Sequence, residues 1–345
     1  MPAPERGTVY RAEQATFRRL LLRWFQNHNR DLPWRGETDP YRILVSEIML
    51  QQTRVAVVEA RYKKFVVQFP TARRLAAAKE QTVLAAWSGL GYYRRARALH
   101  RAAKEIVGRE TFPATAVELM ELPGVGRYTA AAVASIAFHE PVAVVDGNVK
   151  RVIQRVAANQ FPANHRIRED HYWEIAGRLL DKKHPGNFNQ AMMELGALVC
   201  LPARPLCGAC PVADLCALRG PAEKVDRPAR RKAVLHYALI RKNGSVLLRQ
   251  RPGESSLMPG MWELPQITPA NSKTANVKAA NVQIRNQNPK PLLKLRHSIT
   301  TTDYTVFVHA SANLLLAGRW VPLRSVDRLP LTGLTRKIIQ RLGDA

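Results

Sequence analysis

Leu122-Pro123-Gly124-Val125-Gly126 is the stretch on which the reading of this chain turns. It lies between two segments of helical patterning, Thr115 to Glu121 and Arg127 to Phe138. Its two glycines let the backbone turn tightly and come close to a partner. The amides that open the second helix then point outward, where free N–H groups and the helix dipole favour an anion. A plain corner between two helices has the same pattern, so the rest of the chain must say whether an anion belongs there.

The charge balance supplies one. Lys and Arg number 53 against 27 Asp and Glu in 345 residues, a formal net charge of +26. Such a surface fits a polyanion, because neutralising phosphates releases condensed counterions. A hydrophobic fraction of 46% with 23% charged residues excludes a wholly disordered or fibrous chain. An anionic membrane would attract the same charge, but no basic amphipathic helix or lipidation motif is present. The longest apolar run, Ala130 to Phe138, is broken by Ser135 and is far short of the ~20 residues that span a bilayer. The N-terminus lacks the apolar core of a signal peptide. The expectation is an intracellular monomer, cytoplasmic or nucleoid-associated, with a DNA phosphate as the anion at Gly124 and Gly126.

All four cysteines, Cys200, Cys207, Cys210 and Cys216, fall within one short stretch, spaced C-x6-C-x2-C-x5-C. A secreted disulfide protein of this length spreads its cysteines over the loops it must staple. Four thiolates in one loop can instead close around a single centre, zinc or an iron–sulfur cluster. Zinc sites more often pair two C-x2-C knuckles, and only one occurs here. The spacing therefore favours a four-iron cluster, whose cube corners need more widely spread sulfurs.

Residues 1–12 read as a tail and 13–219 as a mainly helical domain. Apolar residues recur at helical period in Phe17, Leu20, Leu21 and Trp24, and again in Tyr41, Leu44, Val45 and Ile48. Asp31-Leu32-Pro33, Phe69-Pro70, Phe112-Pro113 and Lys183-His184-Pro185-Gly186 break the helices. Residues 220–232, with two prolines and mixed charge, read as a linker. From 233 to 345 the period changes and a smaller α+β domain is expected. Val234 to Ile240 and Ser245 to Leu248 are expected as strands joined at Lys242-Asn243-Gly244. Tyr304 to His309 and Trp320 to Val321 add strands, and Leu331 to Leu342 a closing helix. The polar Asn271 to Asn288 reads as a loop.

Two carboxyl groups stand out. Asp146, in Val144-Val145-Asp146-Gly147-Asn148-Val149, opens a helix expected to run to about Ala157, where it suits an N-cap. Glu47 has Ile43 one turn before it and Leu50 one turn after it, so its helix face is apolar. Desolvation there raises a carboxyl pKa and keeps the group protonated, as a general acid requires. An acid with a separate ionised carboxylate can cleave a glycosidic bond through an oxocarbenium-like state.

With these residues in place the chain closely resembles the MutY-type adenine DNA glycosylases of the helix-hairpin-helix repair superfamily, over nearly its whole length. Leu32-Pro33-Trp34-Arg35, Val45 to Thr53, Gly89-Leu90-Gly91-Tyr92-Tyr93, Leu122 to Ala130, Val145 to Val149, Phe188 to Cys200 and the four-cysteine loop match in order. The resemblance implies one [4Fe-4S] cluster and, as partner, duplex DNA carrying adenine opposite 8-oxoguanine or guanine. It casts Glu47 as the acid that protonates the leaving adenine at N7, and Asp146 as the carboxylate that stabilises or traps the deoxyribose cation. Tyr128 and Asn148 hold that constellation. Arg30, Trp34 and Gln190 line the pocket of the flipped base, Gln52 and Tyr92 wedge into the duplex, and Thr53 contacts the opposite base. Such an enzyme must extrude its base and fill the gap. Arg94, Arg95, Arg97 and Arg101 read as a basic face for phosphates.

The related endonuclease III branch carries a lysine in the hairpin's second helix for Schiff-base chemistry. Here Tyr128 takes that place, and a phenol cannot form a Schiff base, so a monofunctional enzyme is expected. A non-catalytic DNA-binding protein is disfavoured by Glu47 and Asp146. The C-terminal part resembles a Nudix-like module that senses 8-oxoguanine, through Val246 to Arg251 and Gly260 to Pro265, but it lacks the glutamate-rich magnesium box. The family's lesion-sensing Phe-Ser-His is also replaced. Arg296-His297 is followed by Ser298 and then Ile299-Thr300-Thr301. His297, Ser298 and Thr300 remain as candidate lesion contacts, and the threonine hydroxyl can stand in for the serine but not for the imidazole.

Overall fold

The computed structural model describes residues 6–160, 168–220, 229–255, 257–267, 290–299, 301–311 and 317–343. In chain order the helices are α1 (Arg6–His28), α2 (Pro40–Leu50), α3 (Val55–Gln68), α4 (Ala72–Ala76), α5 (Glu80–Ala86), α6 (Arg94–Gly108), α7 (Ala116–Met120), α8 (Arg127–Ala137), α9 (Gly147–Val156), α10 (Glu169–Leu179), α11 (Pro185–Leu198) and α12 (Gly333–Gly343). The strands are β1 (Arg231–Leu239), β2 (Arg241–Lys242), β3 (Ser245–Gln250), β4 (Trp262–Glu263), β5 (Gln266–Ile267), β6 (Leu293–Ile299), β7 (Thr302–Ala310) and β8 (Arg319–Pro322). The chain divides into two compact units, Met1–Ala77 with Ala98–Val225, and Ala78–Arg97 with Asp226–Ala345.

The first unit is helical. Phe17 and Leu21 of α1 are buried in one core with Val149, Val152 and Ile153 of α9, Ile175 of α10 and Phe188, Met192 and Leu195 of α11. The helical period that singled out Phe17, Leu21 and Trp24 thus marks a core face. Helix α1 begins at Arg6, inside the stretch expected as a tail, because the apolar pattern marks where a helix packs rather than where it starts.

Thr115 caps α7 in a reciprocal capping box with Glu118, and α8 follows after the hairpin. Only one of the two hairpin glycines is needed for the turn. Gly124 has φ +79° and a Cβ there would lie 2.4 Å from Cβ of Ala98, whereas Gly126 has an ordinary φ of −92° and open space where its Cβ would be. Gly126 is the N-cap of α8 without a side-chain cap.

In the second unit β5, β1, β7 and β6 form one four-stranded sheet, with β1 parallel to β7 and antiparallel to β5. The other sheet runs β2-β3-β4, with β8 also paired to β3. Asn243 and Gly244, both at positive φ (+48° and +68°), turn β2 into β3, as an Asn-Gly hairpin demands. The expected strand 234–240 meets β3 only at its end, where the Ile240 carbonyl accepts Leu247 N at 3.1 Å; its long partner is β7, and β1 starts at Arg231, inside the expected linker. Residues 78–97, read from sequence as part of the helical domain, group with the C-terminal residues: Tyr93 Oη donates to the Leu331 carbonyl at 2.9 Å and Arg336 Nε to Ser88 Oγ at 2.9 Å. Most of the expected linker and all of Asn271 to Asn288 lie outside the described residues. Among the described residues no helix is long and apolar enough to cross a membrane.

Candidate active site

Five helices of the first unit, α2, α3, α8, α9 and α11, deliver side chains to one pocket. Its walls include Arg30, Trp34, Arg35, Glu47, Thr53, Tyr128, Asp146, Asn148, Gln190, Met193 and Glu194. Glu47 projects from α2, whose residues Ile43 to Met49 are all buried. Tyr128 lies in the first turn of α8 and donates its hydroxyl to Glu47 Oε2 at 2.6 Å. Gln51 Nε2 donates to Thr129 Oγ1 at 3.0 Å and ties the end of α2 to the start of α8. Burial pushes the Glu47 carboxyl up to about 7, with Asp146 pushing the same way and the Tyr128 hydroxyl and Arg35 charge pulling it down. Burial also lifts the Tyr128 phenol well above its ordinary value, so it stays a donor.

Asp146 is both the N-cap of α9 and a wall of the pocket. One oxygen accepts Val149 N at 2.7 Å and the other accepts Asn148 Nδ2 at 3.0 Å. Burial raises its pKa, and these hydrogen bonds and the Arg151 charge work against that. Asn148 Oδ1 in turn accepts Arg151 Nη2 at 2.7 Å. Two contacts that sequence patterning did not single out set the position of this loop and helix. Buried Asn189 of α11 accepts Val144 N at 3.1 Å and donates to the Val142 carbonyl at 2.9 Å, holding the approach to Asp146. Gly196 lets α11 close on α9, since a Cβ there would meet Asn148 Cβ at 2.7 Å.

Trp34 is buried edge-on against Tyr62, with ring centroids 5.4 Å apart. Arg30 and Arg35 both pair with Glu194, and Arg35 also donates to Gln190 Oε1. Sequence reasoning named Arg30 and Gln190 but missed Arg35 and Glu194. The available signal was Glu194 one helical turn after Gln190, a buried acid facing the arginines of the 29–39 loop. Thr53 lines the pocket, while Gln52 is exposed next to it with φ +54°. Tyr92 belongs to the second unit, 39% exposed, at φ +46° with the Arg95 guanidinium 5.4 Å from its ring centroid.

The expected basic face of four arginines is reduced to two. Arg95 is buried over Trp87, donates to the carbonyls of Leu90 and Gly91, and is pushed down to about 10 by that burial. Arg97 pairs with Glu80 at 2.9 Å and donates to the Pro259 carbonyl at 2.6 Å. Arg94 and Arg101 stay exposed. A helical charge pattern cannot show which cations tertiary packing consumes.

Two of the three lesion-sensing candidates, His297 and Ser298, are in a paired strand rather than an open loop. His297, Ser298 and Ile299 are in β6, opposite Tyr304, Asp303 and Thr302 of β7. Ser298 Oγ donates to Asp303 Oδ1 at 2.6 Å, and Asp303 also pairs with Arg230. Burial, with Lys337 nearby, lowers the His297 pKa. Thr300 lies outside the described residues.

The cysteines are brought together. Cys200 follows the end of α11, and Cys207, Cys210 and Cys216 flank two 3-10 turns, Cys207–Ala209 and Ala213–Leu215. All four are free thiols, half-buried, lining one cavity with Arg155 and Val212. Arg155 is buried and donates to Cys200 Sγ at 3.1 Å and to the carbonyls of Leu201 and Pro202 at 2.8 and 2.9 Å. Among the described residues no carboxylate pairs with it, and no three His, Cys, Asp or Glu side chains gather tightly enough to hold a single metal ion.

Residues 45–176 match the HhH-GPD superfamily of base excision DNA repair proteins, and residues 236–341 match the NUDIX domain. The chain is 37% identical to the adenine DNA glycosylase of Mus musculus over 347 aligned positions, covering 83% of this chain and 67% of that one. It is 36% identical to the adenine DNA glycosylase of Homo sapiens, covering 83% and 64%, so it spans about two thirds of these mammalian relatives. With that of Buchnera aphidicola subsp. Baizongia pistaciae identity is 30%, covering 79% and 80%. Among solved structures, a thermostable thymine-DNA glycosylase superposes with a TM-score of 0.54 at 30% identity, covering 60% of this chain and 96% of that one. A trapped endonuclease III–DNA covalent intermediate gives 0.50 at 23%, covering 59% and 95%, a likeness of fold.

Proposed function

Because the chain belongs to the adenine DNA glycosylases of the helix-hairpin-helix base-excision repair superfamily, we propose that its substrate is adenine mispaired with 8-oxoguanine, or with guanine, in duplex DNA. The enzyme removes adenine in base-excision repair. One observation carries the mechanistic reading: Glu47, poised near neutrality, and the hydrogen-bonded Asp146 line the same pocket.

Extruded from the duplex, the base enters this pocket. Glu47 gives its proton to N7 of adenine and turns the base into a neutral leaving group. The Tyr128 hydroxyl occupies Oε2 of Glu47, which leaves Oε1 to carry the proton. The sugar then gathers positive charge, and the Asp146 carboxylate stabilises it. Water completes hydrolysis and leaves an abasic site. With Tyr128 in place of a lysine no amine attacks the sugar from this position, so the enzyme is monofunctional. As a DNA repair enzyme it works as an intracellular monomer.

Cys200, Cys207, Cys210 and Cys216 would hold one [4Fe-4S] cluster, which supplies a covalent cross-link between the end of α11 and the two short turns beyond it. The residues fit this group. All four thiols line one cavity, within reach of a single centre. The buried Arg155 cation turned to Cys200 Sγ suits an anionic thiolate centre.

The test is incubation with duplexes carrying adenine opposite 8-oxoguanine or guanine, followed by hot alkali to cleave abasic sites. Cleavage at the adenine is expected with both, and none without alkali. Strand cleavage without alkali, with borohydride trapping, would place the enzyme in the lyase branch. No cleavage at either mispair would overturn the proposed substrate.

A further inference from the structure

Glu194 lies on α11 one turn beyond Gln190, its side chain 3% exposed. Its carboxylate accepts four hydrogen bonds: Arg30 N at 3.0 Å, Arg30 Nε at 2.7 Å, Arg30 Nη2 at 2.9 Å and Arg35 Nη2 at 3.0 Å. Burial pushes the group up, and the hydrogen bonds and charges of Arg30 and Arg35 bring it below the ordinary carboxylate value. A buried ion cluster of this kind is seldom better for stability than apolar side chains of the same volume. Its use is to be sought in what it orients.

Arg35 provides the connection. Its guanidinium lies 5.0 Å from the Phe25 ring centroid, with Nη2 on Glu194 and Nη1 donating to Gln190 Oε1. A guanidinium has donors and no acceptor. Gln190 must therefore turn its amide oxygen to Arg35, and only its NH2 is left for the pocket. In that state Gln190 offers donors alone. It suits a base that presents a ring-nitrogen acceptor, as adenine does, and meets donor with donor where a base carries a ring N–H.

We propose that Glu194 is a positioning residue for adenine excision, anchoring Arg30 and Arg35 at the pocket wall and, through Arg35, setting Gln190 with its amide N–H groups toward the flipped base. The inference rests on the adenine-excision reading above. Glu194 touches no base. It acts by removing the alternative orientations of three side chains that line the pocket, and misplacement of such groups by about 1 Å can cost about 100-fold.

Glu194→Gln keeps the shape and removes the charge. Single-turnover excision of adenine is expected to fall about 10- to 100-fold, while the Kd for the mispaired duplex stays within about threefold, since the pocket is filled only after extrusion. In a Gln190→Ala background the same substitution is expected to cost at least about threefold less, because one route of its action is gone. Glu194→Asp, with the charge on a shorter arm, recovers part of the rate and replaces Glu194→Gln if that variant fails to fold. A readout free of activity is the side-chain amide signal of Gln190 in ¹⁵N-labelled protein, assigned by its loss in Gln190→Ala. Displacement of that signal in the Glu194 variant supports the proposal. Equal costs in the two backgrounds, or an unmoved Gln190 signal, overturn it. A wild-type protein that excises no adenine would overturn the functional reading instead, and the amide signal would still decide this one.

Discussion

The Tyr128 hydroxyl reaches across 81 residues of sequence to donate a 2.6 Å hydrogen bond to Glu47 Oε2. It is the contact that keeps a fully buried carboxyl usable. Desolvation alone would hold Glu47 protonated to higher pH; a donor to the charged form pulls it back. The result is a group at about 7 that can be loaded and unloaded near neutral pH.

Excision is expected to fall as pH rises through about 7, as Glu47 loses its proton. The same group couples folding to pH. Its value is raised on folding, so the folded protein holds a proton that the unfolded chain releases near 4.5, and stability is lost as pH climbs from about 4.5 to about 7. Glu47→Gln escapes that loss. It should abolish excision, a fall of about 10²- to 10⁴-fold, yet melt higher than the wild type at pH 8, by an amount near ~3 kcal/mol, with the gap closing toward pH 4.5. A calorimetric difference that is the same at both pH values would show that Glu47 ionises normally.

Asp146→Asn separates the cap from the chemistry. Asparagine caps helices about as well as aspartate, so the melting temperature should hardly move. The neutral amide cannot stabilise a developing cation, and single-turnover excision should drop about 10²- to 10³-fold. Retained activity would reduce Asp146 to a helix cap.

Gly124→Ala places a methyl group 2.4 Å from Ala98 Cβ at a φ of +79°. Both the overlap and the backbone conformation oppose it. A loss of about 2–4 kcal/mol in urea unfolding is expected, whereas Gly126→Ala, with open space at that position, should fold almost normally and lose affinity for DNA.

For the cysteine loop, Cys207→Ser should lower bound iron, the broad absorbance near ~400 nm and solubility together. Iron content equal to that of the wild type would remove Cys207 from the ligand set.

With Ile299-Thr300-Thr301 where the family carries Phe-Ser-His, 8-oxoguanine should still be preferred over guanine, through Thr53 and Gln52, but by a smaller margin. Restoring Phe-Ser-His at 299–301 should raise the preference for 8-oxoguanine roughly 2- to 150-fold, the worth of one or two good hydrogen bonds. Ser298 is already committed to Asp303, which leaves little scope for it to compensate. Matched duplexes measure the ratio, and a ratio unchanged by the replacement would mean the lesion is read elsewhere.

Much of this site was legible along the chain because its signals are local. The apolar turn on either side of Glu47 foretells its desolvation, the Asp-Gly-Asn step announces a helix start at Asp146, and the crowding of Cys200 to Cys216 needs only counting. Hairpin, charge and order of motifs then point to DNA and to a family. The sheet was less legible. Val234 to Ile240 reads as a strand, but its partner is decided by a parallel crossover to β7 some 70 residues on, and strand patterning carries no record of its neighbour.

By itself, then, the sequence determined which residues were equipped for the chemistry: the acid on an apolar face, the capping carboxylate, the thiols, the hairpin and the phenol in place of an amine. Only the tertiary structure decided which of them work together and which are consumed by packing. Arg95 and Arg97 look like phosphate contacts on a helical wheel and are taken by carbonyls and Glu80. Arg35 and Glu194, 159 residues apart, are ordinary in sequence and meet at the wall of the pocket. The physical reason is range. Propensity, capping and periodicity act over one or two turns of chain, whereas desolvation and ion pairing depend on what the folded chain places within a few ångströms, wherever it comes from in sequence.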